Sequence, residues 1–99
     1  MATAYVSFGR AGAKGSFEIV DIRNGNPTST ETVTTSASSA QSVGTAPSNG
    51  FVSIFCASDL YARVGINPTA APTTSWFVPN GSTFEIGVKE GEKVALIDV

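Results

Sequence analysis

The stretch that decides the fold is Leu60–Val99, LYARVGINPTAAPTTSWFVPNGSTFEIGVKEGEKVALIDV. Phe84, Ile86 and Val88 alternate with Glu85, Gly87 and Lys89, the period-2 pattern of a strand with one buried and one wet face. Val94 and Leu96 continue an inward row, with Lys93, Ala95 and Ile97 opposite. Strands are therefore expected at Tyr61–Ile66, Trp76–Val78, Thr83–Val88 and Lys93–Val99. Between them lie a Pro/Thr/Ala loop at Asn67–Ser75, a Pro79-Asn80-Gly81 turn and a Lys89-Glu90-Gly91-Glu92 turn. Proline suits a central turn position, and Asn80 and Gly81 tolerate the positive φ that closes a hairpin with a bulge. The order reads as a β-meander, a scaffold for everything upstream.

Outward from that scaffold, Gly50–Ala57 is the most apolar run, and Phe51-Val52-Ser53-Ile54-Phe55-Cys56 predicts a central strand buried on both faces. Ser58-Asp59 turns it into Leu60–Ile66, where Gly65 and Pro68 leave too little room for a stable helix. At the N-terminal end, Ala4, Val6 and Phe8 alternate with Tyr5 and Ser7, a first strand. Gly9–Gly15 follows as a glycine-rich loop with two cations. Its Lys14 precedes Gly15, and Ser16 leads into a strand rather than a helix, so the phosphate-binding lysine motif fails in order and context. Arg10 and Lys14 are read instead as available to a carboxylate on a partner surface. Ser16–Arg23 is a second strand, bounded by the turn residues Asn24-Gly25-Asn26-Pro27.

Thr28–Asn49 carries twelve Ser or Thr among twenty-two residues. Its only apolar residues larger than alanine or proline are Val33 and Val43, too few to offset an ordering entropy of roughly 1–2 kcal/mol per residue. A flexible loop or arm at 28–49 is expected, or a thin edge strand in which Gln41–Thr45 pairs with Thr32–Thr35. An arm that becomes ordered on a neighbouring subunit is the functional form of that expectation.

The chain has 99 residues, enough for one domain with one core. No segment sustains helical periodicity, and about seven to nine strands at even spacing make the fold all-β. The expected architecture is an antiparallel β-sandwich or a partly closed barrel, jelly-roll-like. Only 14% of residues are charged, against about 25% in a typical soluble domain. Ser, Thr, Ala and Gly must cover much of the surface, as suits a protein held against neighbours. Net charge is −2 with no run of like charges, so neither a nucleic-acid nor a membrane partner is expected. There is no apolar membrane span and no signal-peptide layout, which leaves synthesis in a cytoplasm without export.

Histidine is absent and Cys56 is the only cysteine. Histidine-based general base chemistry and thiolate zinc sites have no residues to use. The carboxylates are scattered singly, and the expectation is a non-enzymatic protein with no cofactor and no metal. Cys56, within an apolar run, reads as a buried small hydrophobe. Asn80-Gly81-Ser82 matches a glycosylation sequon, better read as turn residues. Trp76 and Phe77 are adjacent and so face opposite ways on a strand. A buried Trp76 is the leading expectation. An exposed one would be a sugar platform or an interface anchor. Tyr5 and Tyr61 fall opposite the main apolar rows and would extend such a patch.

The succession Tyr61-Ala62-Arg63-Val64-Gly65, Asn67-Pro68-Thr69-Ala70, Trp76-Phe77-Val78-Pro79-Asn80-Gly81, Phe84-Glu85-Ile86 and Gly91-Glu92-Lys93-Val94-Ala95 resembles small β-sandwich accessory virion proteins of tailed bacteriophages. The resemblance covers roughly the C-terminal half and rests on turn signatures. It implies a decoration or cement protein on the outer capsid surface, stabilising the shell. The implied partners are the major capsid protein or other virion subunits, with self-association as a homo-oligomer, a trimer foremost. On that reading Arg10, Lys14, Tyr61 and Trp76 are the interface candidates and the chain belongs to the virion. The alternatives are a carbohydrate- or host-surface-binding sandwich and a head-fibre, neck or tail component.

Overall fold

Among the described residues, alternation along the chain resolves into eight strands in two packed antiparallel sheets, a β-sandwich and not a closed barrel. The structure, a computed structural model, describes residues 2–13 and 19–99, with the side chains of 10–26 and 28 outside that description. The strands are β1 (Thr3–Ala13), β2 (Ile19–Thr34), β3 (Ala40–Gln41), β4 (Gly50–Cys56), β5 (Leu60–Gly65), β6 (Trp76–Val78), β7 (Thr83–Val88) and β8 (Lys93–Asp98). One sheet runs β2-β1-β4-β7 and the other β3-β8-β5-β6.

Inward rows meet as period 2 requires. Ala4, Val6 and Phe8 pair across with Cys56, Ile54 and Val52, and Ile54 and Val52 with Phe84 and Ile86. In the facing sheet, Leu60, Ala62 and Val64 lie opposite Asp98, Leu96 and Val94. These residues, with Val33, Val78 and Val88, build one continuous core in which only Val64, Phe84 and Ile86 are partly exposed and Asp98 lies at the rim. Cys56 is fully buried within it, and desolvation pushes its thiol above the ordinary cysteine value.

The strand pairing is nested: β5 with β6, β4 with β7, β3 with β8. A long hairpin with its tip in the β5–β6 loop, folded over onto itself, gives this order, which is that of a jelly roll. The next nested partner of β2 would be a ninth strand after β8. Here the first strand, β1, fills that seat between β2 and β4. The two chain ends accordingly meet: the Thr35 N–H donates to the Ala2 carbonyl and the Asp98 N–H to the Ser36 carbonyl.

Several expectations are corrected by this topology. Leu60–Val99 is not a meander, because the Pro79–Ser82 and Lys89–Glu92 turns each carry the chain from one sheet to the other. Turn chemistry fixes where a chain reverses, while the hydrogen-bond partner beyond the turn is a non-local choice. Both turns close with a bond from the fourth residue to the first, Ser82 N–H to Pro79 O at 3.2 Å and Glu92 N–H to Lys89 O at 3.1 Å. Positive φ is confined to the third residue of each, Gly81 at 75° and Gly91 at 86°, as a type II turn requires.

Gly9–Ala13, expected as loop, is strand, and Lys14–Gly15 lie outside the described residues. Gly9 sits in the ladder opposite Phe51, and a Cβ there would come within 2.7 Å of the Phe51 ring. The glycine is required by an aromatic ring lying on it. Gly9→Ala is expected to destabilise the protein by about 1–3 kcal/mol through overpacking, read as a lowered urea midpoint; an unchanged midpoint would contradict the contact.

Asn24-Gly25-Asn26-Pro27 does not end a strand. Between the pairs Phe8↔Ser29 and Arg10↔Asn24, the β2 residues Gly25, Asn26, Pro27 and Thr28 face Gly9 alone, so turn-forming residues are accommodated as a bulge. In 28–49 the expected thin edge strand is present, as the end of β2 at the edge of its sheet, whereas Ala40-Gln41 pairs with β8 rather than with Thr32–Thr35. Hydroxyl and carboxylate hydrogen bonds supply what apolar burial does not. Ser42, 1% exposed, gives its hydroxyl to the Gly44 carbonyl and accepts from the Val94 N–H. Glu31 accepts from the Val43 and Gly44 N–H groups, both at 2.9 Å. Thr35, fully buried, exchanges side-chain bonds with Ala2.

Candidate functional site

Two features stand out from the sandwich, an aromatic flank at one edge and a two-stranded ribbon. The flank is built on β6, three residues long and the last strand of its sheet. Phe77 pairs with Tyr61 and Trp76 with Ala62. Because Ala62 is buried, Trp76 points to the inner side of the sheet. Among the described residues no strand lies beyond β6, so the indole overhangs the gap between the sheets and is 62% exposed. It tilts against Phe84 of β7, the edge strand of the other sheet, with ring centroids 6.3 Å apart. The expected burial of Trp76 is thereby corrected: parity along a strand gives the face, not whether a further strand covers it.

On the outer side, Tyr61 and Phe77 meet edge to face at 5.9 Å, and Phe77 is 46% exposed. The flank thus presents four aromatic rings from three strands with little charge among them. Arg63, next on the same outer row, donates to the Thr74 hydroxyl. Loop 66–75 folds back over this sheet, held by bonds from the Gln41 side chain to Asn67 Oδ1 and the Pro68 carbonyl and from the Ala70 N–H to Ser39 Oγ.

The ribbon comes from β1 and β2. The β1–β4 ladder ends at Gly9↔Phe51, whereas β1–β2 pairing continues through Arg10↔Asn24 and Ala11↔Arg23 to Ala13↔Ile19. Four further residues of strand add roughly 13 Å of two-stranded ladder, in a molecule measuring 44 × 26 × 24 Å. A second register shift between Ala11 and Ala13 increases its local twist.

Of the sequence-derived candidates, Tyr61 and Trp76 lie on neighbouring strands of one flank but on opposite faces of the sheet. Arg10 belongs to the ribbon in the other sheet, and Lys14 lies outside the described residues. The partners Phe77 and Phe84 are brought to the tyrosine and tryptophan by the ladder and by sheet packing. The β4 run, expected to be buried on both faces, is central in its sheet but covered on one face only. Phe55 is 38% exposed and pairs at 6.4 Å with Tyr5, itself 57% exposed. The alternating Ser53 is the residue that marks that outer row.

Among the described residues, no group of three His, Cys, Asp or Glu side chains is placed to hold a metal ion. No protein-family model, curated protein or solved structure matches the chain.

Proposed function

We propose that this chain is a non-enzymatic structural protein that docks onto an assembly of other subunits, an accessory virion protein of the decoration or cement kind. The observation that carries the proposal is the β1–β2 ribbon. Two strands that, among the described residues, pair only with each other past Gly9 form a marginally stable element in isolation. Both of its long edges offer unpaired backbone groups, which suits it to lie against, or add to, a sheet of a neighbour. The exposed Trp76 flank supplies an apolar anchor of the type enriched at interfaces. Low charge, Ser/Thr-rich surface and the turn signatures of Leu60–Val99 support the same reading, with the major capsid protein, other virion subunits and further copies of this chain as partners. Many copies on a symmetric lattice raise avidity by 10²–10⁴ without new contacts, so each contact stays modest.

Replacing Ala11–Arg23 by Asn-Gly joins the register partners Arg10 and Asn24 through a two-residue hairpin. The expected result is a folded sandwich whose affinity for purified capsids falls at least about tenfold, or 1.4 kcal/mol. Undiminished capsid binding by the shortened protein would sink the ribbon's role.

A further inference from the structure

The outer face of the β2-β1-β4-β7 sheet carries a hollow that docking through the ribbon and the Trp76 flank leaves unused. It is lined by Tyr5, Val6, Ser7, Thr30, Glu31 and Thr32, with a volume of about 370 Å³. That lies in the range of small-molecule sites, roughly 300–1,000 Å³. The ladder makes the hollow: Tyr5 pairs with Thr32 and Ser7 with Thr30, so a large ring stands beside a row of short side chains. Tyr5 is 57% exposed, and its ring tilts against that of Phe55 with centroids 6.4 Å apart, a contact that restricts the ring.

We infer that this hollow binds a neutral pyranose ring of a saccharide. Its chemistry selects for one. The lining offers four hydroxyl groups, on Tyr5, Ser7, Thr30 and Thr32, each both donor and acceptor. Among the described residues no cation lines it, so an anionic headgroup or phosphate meets no counter-charge from them. The one carboxylate, Glu31, already accepts from the Val43 and Gly44 N–H groups. An apolar ligand would strip water from the hydroxyls without replacing it. A sugar meets both demands, laying its C–H face on the Tyr5 ring and its hydroxyls toward Ser7, Thr30 and Thr32. This site is separate from Trp76, on a different sheet and strand, and stands or falls independently of capsid docking.

The test is a titration of ¹⁵N-labelled full-length protein, by amide chemical shift, with methyl α-glucoside, methyl β-galactoside, methyl α-mannoside and N-acetylglucosamine in turn. At least one is expected to give saturable shifts centred on Tyr5, Ser7, Thr30 and Thr32. Tyr5→Ala should abolish them. Thr30→Val keeps a β-branched residue on the edge strand and should weaken binding about fivefold, the worth of one neutral hydrogen bond; it preserves the test if loss of Tyr5 disturbs Phe55. Trp76→Ala should leave the titration unchanged. The inference is overturned if no sugar gives saturable shifts, or if the shifts survive both Tyr5→Ala and Thr30→Val.

Discussion

Phe8→Ala is expected to lower stability by about 3–5 kcal/mol. Phe8 is 1% exposed, the largest of the fully buried side chains among the described residues. It stands on β1, a central strand, with Val52 of β4 and Ser29 of β2 as its ladder neighbours. Truncation removes the transfer energy of the ring and leaves a cavity between sheets whose registers are fixed on both sides, so collapse is limited. A domain of this size is stable by about 5–15 kcal/mol, and a loss of this order lowers Tm by more than about 12 °C at 4–8 °C per kcal/mol. Urea unfolding measures it directly. A loss below about 1 kcal/mol would mean that Phe8 does not occupy the core position described.

Trp76→Ala should behave in the opposite way. With 62% of the residue in water, its removal forfeits the contact with Phe84 and part of the sandwich's edge cover, at a cost of about 1 kcal/mol or less. At an interface the same side chain is worth far more, since anchoring tryptophans cost 2 kcal/mol or more when truncated, about thirtyfold in affinity. Co-sedimentation with purified capsids should therefore fall about thirtyfold for a protein whose urea midpoint barely moves. Full binding by the variant, or an unfolding defect as large as that of Phe8→Ala, would remove Trp76 from the proposed docking surface.

The legible part of this fold is the part set by local chemistry. Trp76–Val78 and Thr83–Val88 are strands with the bounds their alternation and flanking turns indicate. Gly81 and Gly91 take the positive φ that their turns need. Whether the strand beyond a turn pairs back or crosses to the opposite sheet depends on partners far away in sequence, which is why a meander and a jelly roll look alike residue by residue. Asn24-Gly25-Asn26-Pro27 has the chemistry of a reversal, and the same chemistry serves a bulge when β1 continues alongside. The Ser/Thr segment looks too polar to order because its stabilisation comes from specific hydroxyl and carboxylate bonds that link Ser42 with Val94, Glu31 with Val43 and Gly44, and Thr35 with Ala2. At the flank, Tyr61 and Trp76 were visible as outward or adjacent aromatics. The hollow beside Tyr5 was not, because Ser7 and Thr30 become neighbours only through the β1–β2 register.

The placement of β1 also gives the molecule a direction. Ala2 and Asp98 lie together near Thr35 and Ser36, at the end where β1 begins, and the ribbon leaves from the end where β1 finishes. A partner held by the ribbon therefore sits away from both chain ends.

Quantitative mass spectrometry of purified tailed-phage particles, from a culture in which this chain is produced, decides most directly between docking on a shell and a free role. The proposed function predicts the chain in the particle fraction at a fixed ratio to the major capsid protein, retained through repeated gradient purification. Recovery of the chain only in the particle-free fraction, with capsids lacking it, would contradict that function.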